Sequence, residues 1–152
     1  MIRKILFTAT VFVAALIAVG AVLYVRNPPP AVPAISSLEI VEAGKPYVVK
    51  LHAQWCPICM FTKDRWSEIE ATYSGRVRLV VFDFTDQATT DASRAEAKRL
   101  GLGKFFDDVV GETGTIAVLD GRTKNMTASI HGNRGFDEYR IAIDSNLRSV
   151  TR

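Results

Sequence analysis

The chain has 152 residues, 48% of them apolar, and a formal net charge of +3 at pH 7. This length suits one domain of ordinary size. The basic residues Arg3, Lys4 and Arg26 precede the first acidic residue, Glu39, and beyond them the chain carries 16 basic and 16 acidic residues. A domain without excess positive charge lacks the electrostatic footprint of nucleic-acid-binding proteins, so that class of function is excluded.

The N-terminal segment predicts a membrane anchor. Residues 5–25 form a run of 21 positions without a charge or a proline, which is long enough to cross a bilayer. The basic residues before the run favour a cytoplasmic location for residues 1–4 and export of the rest. We therefore expect a single-pass protein of the inner or plasma membrane, whose folded domain faces the periplasm or the cell exterior.

A cleaved signal peptide is the alternative, since Ala18-x-Gly20 has the small residues of a cleavage site. The apolar run continues to Val25, which favours an uncleaved anchor, and both interpretations export the domain. Residues 26–35 contain NPPPAVP and predict a semi-rigid, proline-rich linker. The folded domain is expected to span residues 36–152.

The first half of this domain reads as strand, helix and strand. The segment Tyr47–Ala53, YVVKLHA, is rich in β-branched and aromatic residues and predicts a strand. A helix that ends before Gly75 follows, with one face formed by Cys59, Thr62, Trp66, Ile69 and Tyr73. The segment Val77–Phe84 predicts the second strand.

The second half predicts a helix, two strands and a final helix. The helix starts at Thr90-Asp91 and ends near Gly101, and residues 102–114 are expected to be irregular. Strands are predicted at Thr115–Asp120 and Met126–Ile130, and the last helix buries Phe136, Tyr139, Ile143, Leu147 and Val150. The helices before the second and third strands predict parallel pairing there, with an antiparallel final hairpin.

Both cysteines of the chain lie in QWCPIC, between the first strand and the first helix. Backbone N–H groups and the dipole at a helix N-terminus stabilise a thiolate, so Cys56 is expected to have a lowered pKa and to act as an exposed nucleophile. Cys59 lies one turn further on, on the buried face, where it can close a ring with Cys56. This arrangement of an attacking and a resolving sulfur suits thiol–disulfide exchange.

A strand, Trp-Cys-x-x-Cys, a helix and then β-α-β-β-α resembles the thioredoxin superfamily over residues 38–149. The resemblance implies an α/β fold with a mixed four- to five-stranded sheet flanked by helices. It also implies thiol–disulfide oxidoreductase activity on protein thiols and disulfides, with a redox-active Cys56–Cys59 disulfide and no other cofactor. An exported member would need a donor or acceptor of electrons in the membrane, because the periplasm lacks a reducing glutathione pool.

The resemblance implies a substrate groove framed by Trp55, Gly114, Thr115 and His131. Gly114 stands where the family usually has a cis-proline, so we expect a trans peptide bond or an otherwise altered loop there. Pro57-Ile58 is the dipeptide between the cysteines, which tunes the reduction potential in the family.

Lys50 stands where cytosolic thioredoxins carry a buried aspartate. Period-two alternation places Lys50 and His52 on one face of the first strand, as support for the active site. If that face meets the active-site helix, the cation would favour a thiolate on Cys59. The alternative is that Lys50 reaches solvent.

Two further functions of the cysteines remain open. A purely structural disulfide would close only a very short loop, which constrains the unfolded chain little. Cys56 and Cys59 could instead bind and transfer copper or zinc with His52 and His131, although the spacing of these residues matches no established metal motif and no metal site is predicted. The pair Phe105-Phe106 is interpreted as core or loop-anchoring aromatics.

Overall fold

The computed structural model describes residue 42 and residues 44–150, with the backbone alone at 150. The predicted anchor, cleavage site and linker lie outside these residues. Within the described part of the chain, no helix combines the length and the apolar character needed to cross a membrane.

The described residues contain a four-stranded mixed sheet flanked by helices, as predicted. The strands are β1 (Tyr47–His52), β2 (Arg78–Asp83), β3 (Thr115–Leu119) and β4 (Met126–His131), in the order β2-β1-β3-β4. Strand β1 is central and pairs in parallel with β2, while β3 is antiparallel to both β1 and β4. The active-site segment therefore follows a strand that is held on both sides.

The antiparallel pairing of β3 with β1 corrects the prediction of a parallel third strand. The connection from β2 to β3 contains two helices rather than one, α3 (Gln87–Arg99) and α4 (Gly103–Val109). The second helix lies in the stretch expected to be irregular, and it adds a change of direction after Gly101, whose φ is +73°. Strand β3 consequently enters the sheet from the opposite end.

The helix after the cysteines is divided into α1 (Pro57–Phe61) and α2 (Lys63–Tyr73) by Thr62. The Thr62 hydroxyl donates to the carbonyl of Cys59 at 3.1 Å, which closes the end of α1. All five residues of the predicted face are buried, as expected. Helix α3 starts three residues earlier than predicted, because Asp86 forms a capping box with Thr89.

The core lies on both sides of the sheet. Tyr47, Val49 and Leu51 of β1 pack against α3 and α4, including the buried pair Phe105 and Phe106, which confirms that these aromatics belong to the core. The opposite side of the sheet packs against α2 and α5 (Phe136–Val150). Of the predicted inner face of α5, two residues are buried and two are partly buried: Tyr139, Ile143, Phe136 and Leu147.

Candidate active site

Cys56 is the N-cap residue of α1, as the sequence predicts. Its backbone is extended (φ −86°, ψ 111°) and its sulfur accepts the N–H of Cys59 at 3.2 Å, while Pro57 occupies the first turn, where no donor is lost. The N–H of Cys56 itself donates to the carbonyl of Ala53 at 3.2 Å. The end of β1 and the start of α1 thus fix the position of the first sulfur.

Cys56 is much less exposed than the sequence suggests, with a relative accessibility of 4%. It packs with Ala53 and Cys59, and the Ile58 side chain lies against this cluster. The expectation of an exposed nucleophile is therefore wrong. The reason is that the loop before β3 returns to cover the start of α1.

The two thiols have pKa values shifted in opposite directions. Burial acts to raise the pKa of Cys56, but hydrogen bonds from the Cys59 thiol, the Thr113 hydroxyl and the backbone N–H groups of Cys59 and Ile58 outweigh it and lower the pKa. Burial raises the pKa of Cys59, and donation of its proton to Cys56 raises it further. The first thiolate to form is that of Cys56.

Trp55 is held by residues from the end of β2. It is 62% exposed, and its indole N–H donates to the carbonyl of Thr85 at 3.0 Å. The N–H of Gln54 donates to the Thr85 hydroxyl oxygen at 2.9 Å, and the Thr85 N–H and hydroxyl both donate to Asp83 (2.8 and 2.5 Å). Sequence reasoning missed Thr85 and Asp83. The signal in the sequence that could have indicated them is that both are polar residues at the carboxyl end of the predicted second strand.

Gly114 meets Ile58 directly. Its φ is +74°, a conformation that favours glycine, and a methyl group added at its Cα would lie 2.6 Å from Cγ2 of Ile58. The N–H of Gly114 donates to Leu51 at 3.0 Å and its carbonyl accepts from Gly132 at 2.9 Å. No peptide bond of the described residues is cis, which agrees with the altered loop expected at this position.

Thr115 and His131 lie beside Gly114. The Thr115 hydroxyl and His131 Nδ1 are 3.0 Å apart, and the His131 ring is 3.6 Å from the position of a methyl group on Gly114. Thr115 is buried and His131 exposed. His131 is the last residue of β4 rather than part of the following turn, because the strand continues one residue further than predicted.

Lys50 is buried, with an accessibility of 8%, and its Nζ lies 5.8 Å from the centroid of the Trp66 ring. Lys50 therefore lies on the face of the sheet that α2 covers. Burial lowers the pKa of Lys50, and the charge of an ionised Cys59 would raise it. Burial and then the charge of Lys50 lower the pKa of His52, whose Nδ1 is buried without a hydrogen-bond partner.

The two histidines do not complete a metal site with the cysteines. Among the described residues, no three side chains of His, Cys, Asp or Glu are close enough together to hold a metal ion. Both cysteines are free thiols. The alternative of copper or zinc transfer therefore lacks a ligand cluster in this part of the chain.

Thr113, which the sequence did not single out, supports a first prediction. Replacing it by valine removes a hydrogen bond to a charged sulfur, and such a bond contributes about 1.5–3 kcal/mol. We expect Thr113→Val to raise the pKa of Cys56 by about one unit. The reactivity of Cys56 is lost as pH falls through its pKa, so the variant should lose it at a higher pH than the native protein.

The measurement is the alkylation rate of Cys56 against pH, followed by mass spectrometry of the reduced protein. Thr115→Val is the matched control, because the Thr115 hydroxyl contacts His131. Identical pH profiles for Thr113→Val and the native protein would contradict the prediction.

A cysteine pair at the junction of a central strand and a helix, in a mixed sheet covered on both faces, defines the class of thioredoxin-like folds. A family model for thioredoxin matches residues 37–99. Over these residues the chain is similar to the thioredoxin family. No curated protein gives a significant match.

Solved structures with a similar fold include MTB DsbF in its mixed oxidized and reduced forms. It is 19% identical, with a TM-score of 0.48, over 68% of this chain and 81% of that one. A thiol:disulfide interchange protein of the thioredoxin family from Chlorobium tepidum TLS is 22% identical, with a TM-score of 0.48, over 74% and 85% of the two chains. Trxlp from Edwardsiella tarda EIB202 is 16% identical, with a TM-score of 0.45, over 71% and 93%.

Proposed function

We propose that the protein is a thiol–disulfide oxidoreductase that exchanges the Cys56–Cys59 dithiol or disulfide with protein substrates. The observation that carries this proposal is the asymmetry of the pair: the Cys56 sulfur caps α1 and accepts the N–H of Cys59 at 3.2 Å, and hydrogen bonds to it lower the pKa of Cys56, while Cys59 is buried one turn further on, which raises its pKa. A structural disulfide requires no such asymmetry. Thiol–disulfide exchange requires one sulfur that is ionised and attacks first, and a second sulfur that stays protonated until the mixed disulfide has formed.

The reaction proceeds in two displacements. In the reducing direction the Cys56 thiolate attacks one sulfur of a substrate disulfide, the substrate S–S bond breaks, and the other substrate sulfur leaves as a thiolate. Cys59 then loses its proton and attacks the sulfur of Cys56, which releases the second substrate thiolate and forms the Cys56–Cys59 disulfide. Two electrons pass to the substrate, and the oxidising direction is the reverse.

Trp55, Pro57 and Ile58 shape the surface on which this exchange takes place. The exposed Trp55 directly precedes Cys56 in the chain, and the Ile58 side chain packs against Gly114, which lies beside Thr115 and His131. We infer that a substrate segment lies between the Trp55 ring and the surface formed by Ile58 and Gly114.

The membrane anchor and export of the domain belong to the same proposal, on the evidence of the sequence. Residues 5–25 would hold the domain on the periplasmic or outer side of the membrane, where a membrane protein would donate or accept the electrons. Protease added to intact cells or spheroplasts should then digest the domain, and protection of the domain would contradict this location.

The proposed function is tested by trapping. With Cys59→Ser, the second displacement is blocked, so a disulfide-bonded peptide should accumulate as a mixed disulfide on Cys56. The native protein should release the peptide, and Cys56→Ser/Cys59→Ser should form no adduct. An adduct that fails to form with Cys59→Ser, or that forms through Cys59 in Cys56→Ser at the same rate, would overturn the proposal.

The direction of electron flow follows from the reduction potential of the pair, read through Trp55 fluorescence. A value near −270 mV, roughly that of thioredoxin, supports a reductase, and one near about −120 mV supports an oxidant.

A further inference from the structure

His131 stands beside the active site on a well-supported part of the sheet. It is the last residue of β4 and pairs directly with Thr115 of β3, so the two side chains share one face of the sheet. The N–H of Gly132 donates to the carbonyl of Gly114 at 2.9 Å, and the Tyr139 hydroxyl donates to the carbonyl of Gly132 at 2.8 Å. The backbone that carries the imidazole is therefore fixed from two sides.

The two ring nitrogens of His131 have different surroundings. Nδ1 lies 3.0 Å from the hydroxyl oxygen of the buried Thr115, whereas Nε2 has no hydrogen-bond partner within the described part of the chain. Cε1, the carbon bonded to both nitrogens, is 3.6 Å from the position of a methyl group on Gly114, and Cγ2 of Ile58 is 2.6 Å from that same position. The edge of the ring that carries Nε2 therefore borders the surface formed by Ile58 and Gly114.

Ile58 links this edge of the imidazole to the cysteines. It lies between Cys56 and Cys59 in the chain, and its side chain packs against the cluster that both of them form with Ala53. In-line attack by Cys56 places the leaving sulfur of a substrate disulfide about 2 Å further out than the sulfur under attack, at the length of one S–S bond. A substrate that lies against Ile58 thus brings its leaving sulfur toward the side of the site where His131 stands.

We propose that His131 is a catalytic residue of the first displacement: its Nε2–H gives a proton to the substrate sulfur that leaves. This inference rests on the proposed oxidoreductase function and adds to it a group that protonates the leaving sulfur. An imidazole suits this role because it gives and takes a proton near neutral pH. The proton matters because a sulfur that must carry a negative charge leaves more slowly as its basicity rises.

Protons and electrons balance in this step. The Cys56 thiolate forms a bond to one substrate sulfur, the substrate S–S bond breaks, and its electron pair goes to the other sulfur. The imidazolium of His131 gives its Nε2 proton to that sulfur, so the products are a mixed disulfide, a neutral thiol and a neutral imidazole. The neutral ring keeps its Nδ1 proton and donates it to the Thr115 hydroxyl oxygen, which makes Thr115 a positioning residue. In the oxidising direction the neutral imidazole takes the proton of the incoming substrate thiol.

The test compares two symmetrical disulfides in the Cys59→Ser background, where only the first displacement occurs. One is a peptide disulfide, which releases a cysteine thiol, and the other is the disulfide of thionitrobenzoate, which releases an aromatic thiolate that is stable without a proton. His131→Gln should slow adduct formation with the peptide by about tenfold or more, at or below the 10²–10⁴-fold typical of general acid catalysis, because a thiolate leaves more readily than an alkoxide. Its rate with the aromatic disulfide should stay within about twofold of the parent rate.

Thr115→Val keeps the imidazole but removes its hydroxyl partner, and it should show the same selective loss to a smaller extent. The matched control is Arg134→Gln, which removes an exposed charge from the turn after β4 and should leave both rates unchanged. Equal slowing of both disulfides by His131→Gln, or no slowing of either, would overturn the inference while the adduct on Cys56 still forms. Absence of an adduct with the parent Cys59→Ser protein would instead contradict the proposed function.

A second measurement uses the unaltered protein and does not depend on a variant. Its rate of reaction is measured with a series of symmetrical disulfides whose leaving thiols increase in pKa. Proton donation by the protein should make this rate fall less steeply along the series than the rate of dithiothreitol does under the same conditions. Equal slopes for the protein and dithiothreitol would overturn the inference.

Discussion

Replacing Cys56 by serine is expected to abolish disulfide exchange, with a loss on the order of a thousandfold or more, since removal of a nucleophile leaves only binding effects. A serine hydroxyl does not ionise near neutral pH, so the hydrogen bonds that lower the pKa of Cys56 would have no charge to stabilise. The measurement is turnover of a disulfide-bonded reporter peptide with dithiothreitol as electron donor.

The matched variant is Cys59→Ser, which keeps the attacking sulfur. It should show the first displacement at close to the native rate in a single turnover, and then stop. Circular dichroism checks that both variants fold. Native turnover by folded Cys56→Ser would exclude the proposed function.

Replacing Gly114 by alanine is expected to destabilise the domain strongly and to disturb the active-site turn. A residue with a side chain at a φ of +74° is strained by about 1–3 kcal/mol. The added methyl group would also lie 2.6 Å from Cγ2 and 2.9 Å from Cβ of Ile58, and such overpacking costs about 1–3 kcal/mol more. The total loss in the free energy of unfolding, about 2–6 kcal/mol, is measurable by urea denaturation of the reduced protein.

Gly111→Ala separates the two causes. Gly111 has a similar φ of +85°, but a methyl group there would have no atom within 4 Å, so this variant carries the backbone strain alone. We expect Gly114→Ala to be less stable than Gly111→Ala, and part of the difference to disappear in Gly114→Ala/Ile58→Ala. Equal losses at the two glycines, or no coupling between positions 58 and 114, would contradict the close packing of Ile58 on Gly114.

The sequence predicted the parts of the fold that depend on local periodicity. Cys59, Thr62, Trp66, Ile69 and Tyr73 are all buried, because helical spacing and burial are linked directly. The direction of β3 was predicted wrongly, since it depends on a second helix whose short sequence, GKFFDDV, has no clear start signal. The start of α3 was misplaced because the capping box at Asp86 was not recognised.

In the candidate active site, the residues of the cysteine motif and of the strand before it were predictable, whereas the residues that contact the motif from distant segments were not. The motif identified Cys56, Cys59 and Trp55, and period-two alternation placed Lys50 on the correct face of β1. Thr113 and Thr85 contact the motif from segments more than 25 residues away in the chain, so nothing near the cysteines indicated them. The burial of Cys56 depends on the same distant segments, which is why its exposure was overestimated.

The burial of Cys56, which is 4% exposed, limits what can reach its sulfur. In-line attack requires three sulfur atoms to align, so an incoming disulfide has to protrude far enough to pass the Thr113 and Ile58 side chains. A disulfide in a flexible, extended segment of a substrate protein satisfies this condition, whereas a disulfide buried in a rigid domain does not. Under the proposed function, the accessibility of a substrate disulfide would then decide whether the protein can exchange with it.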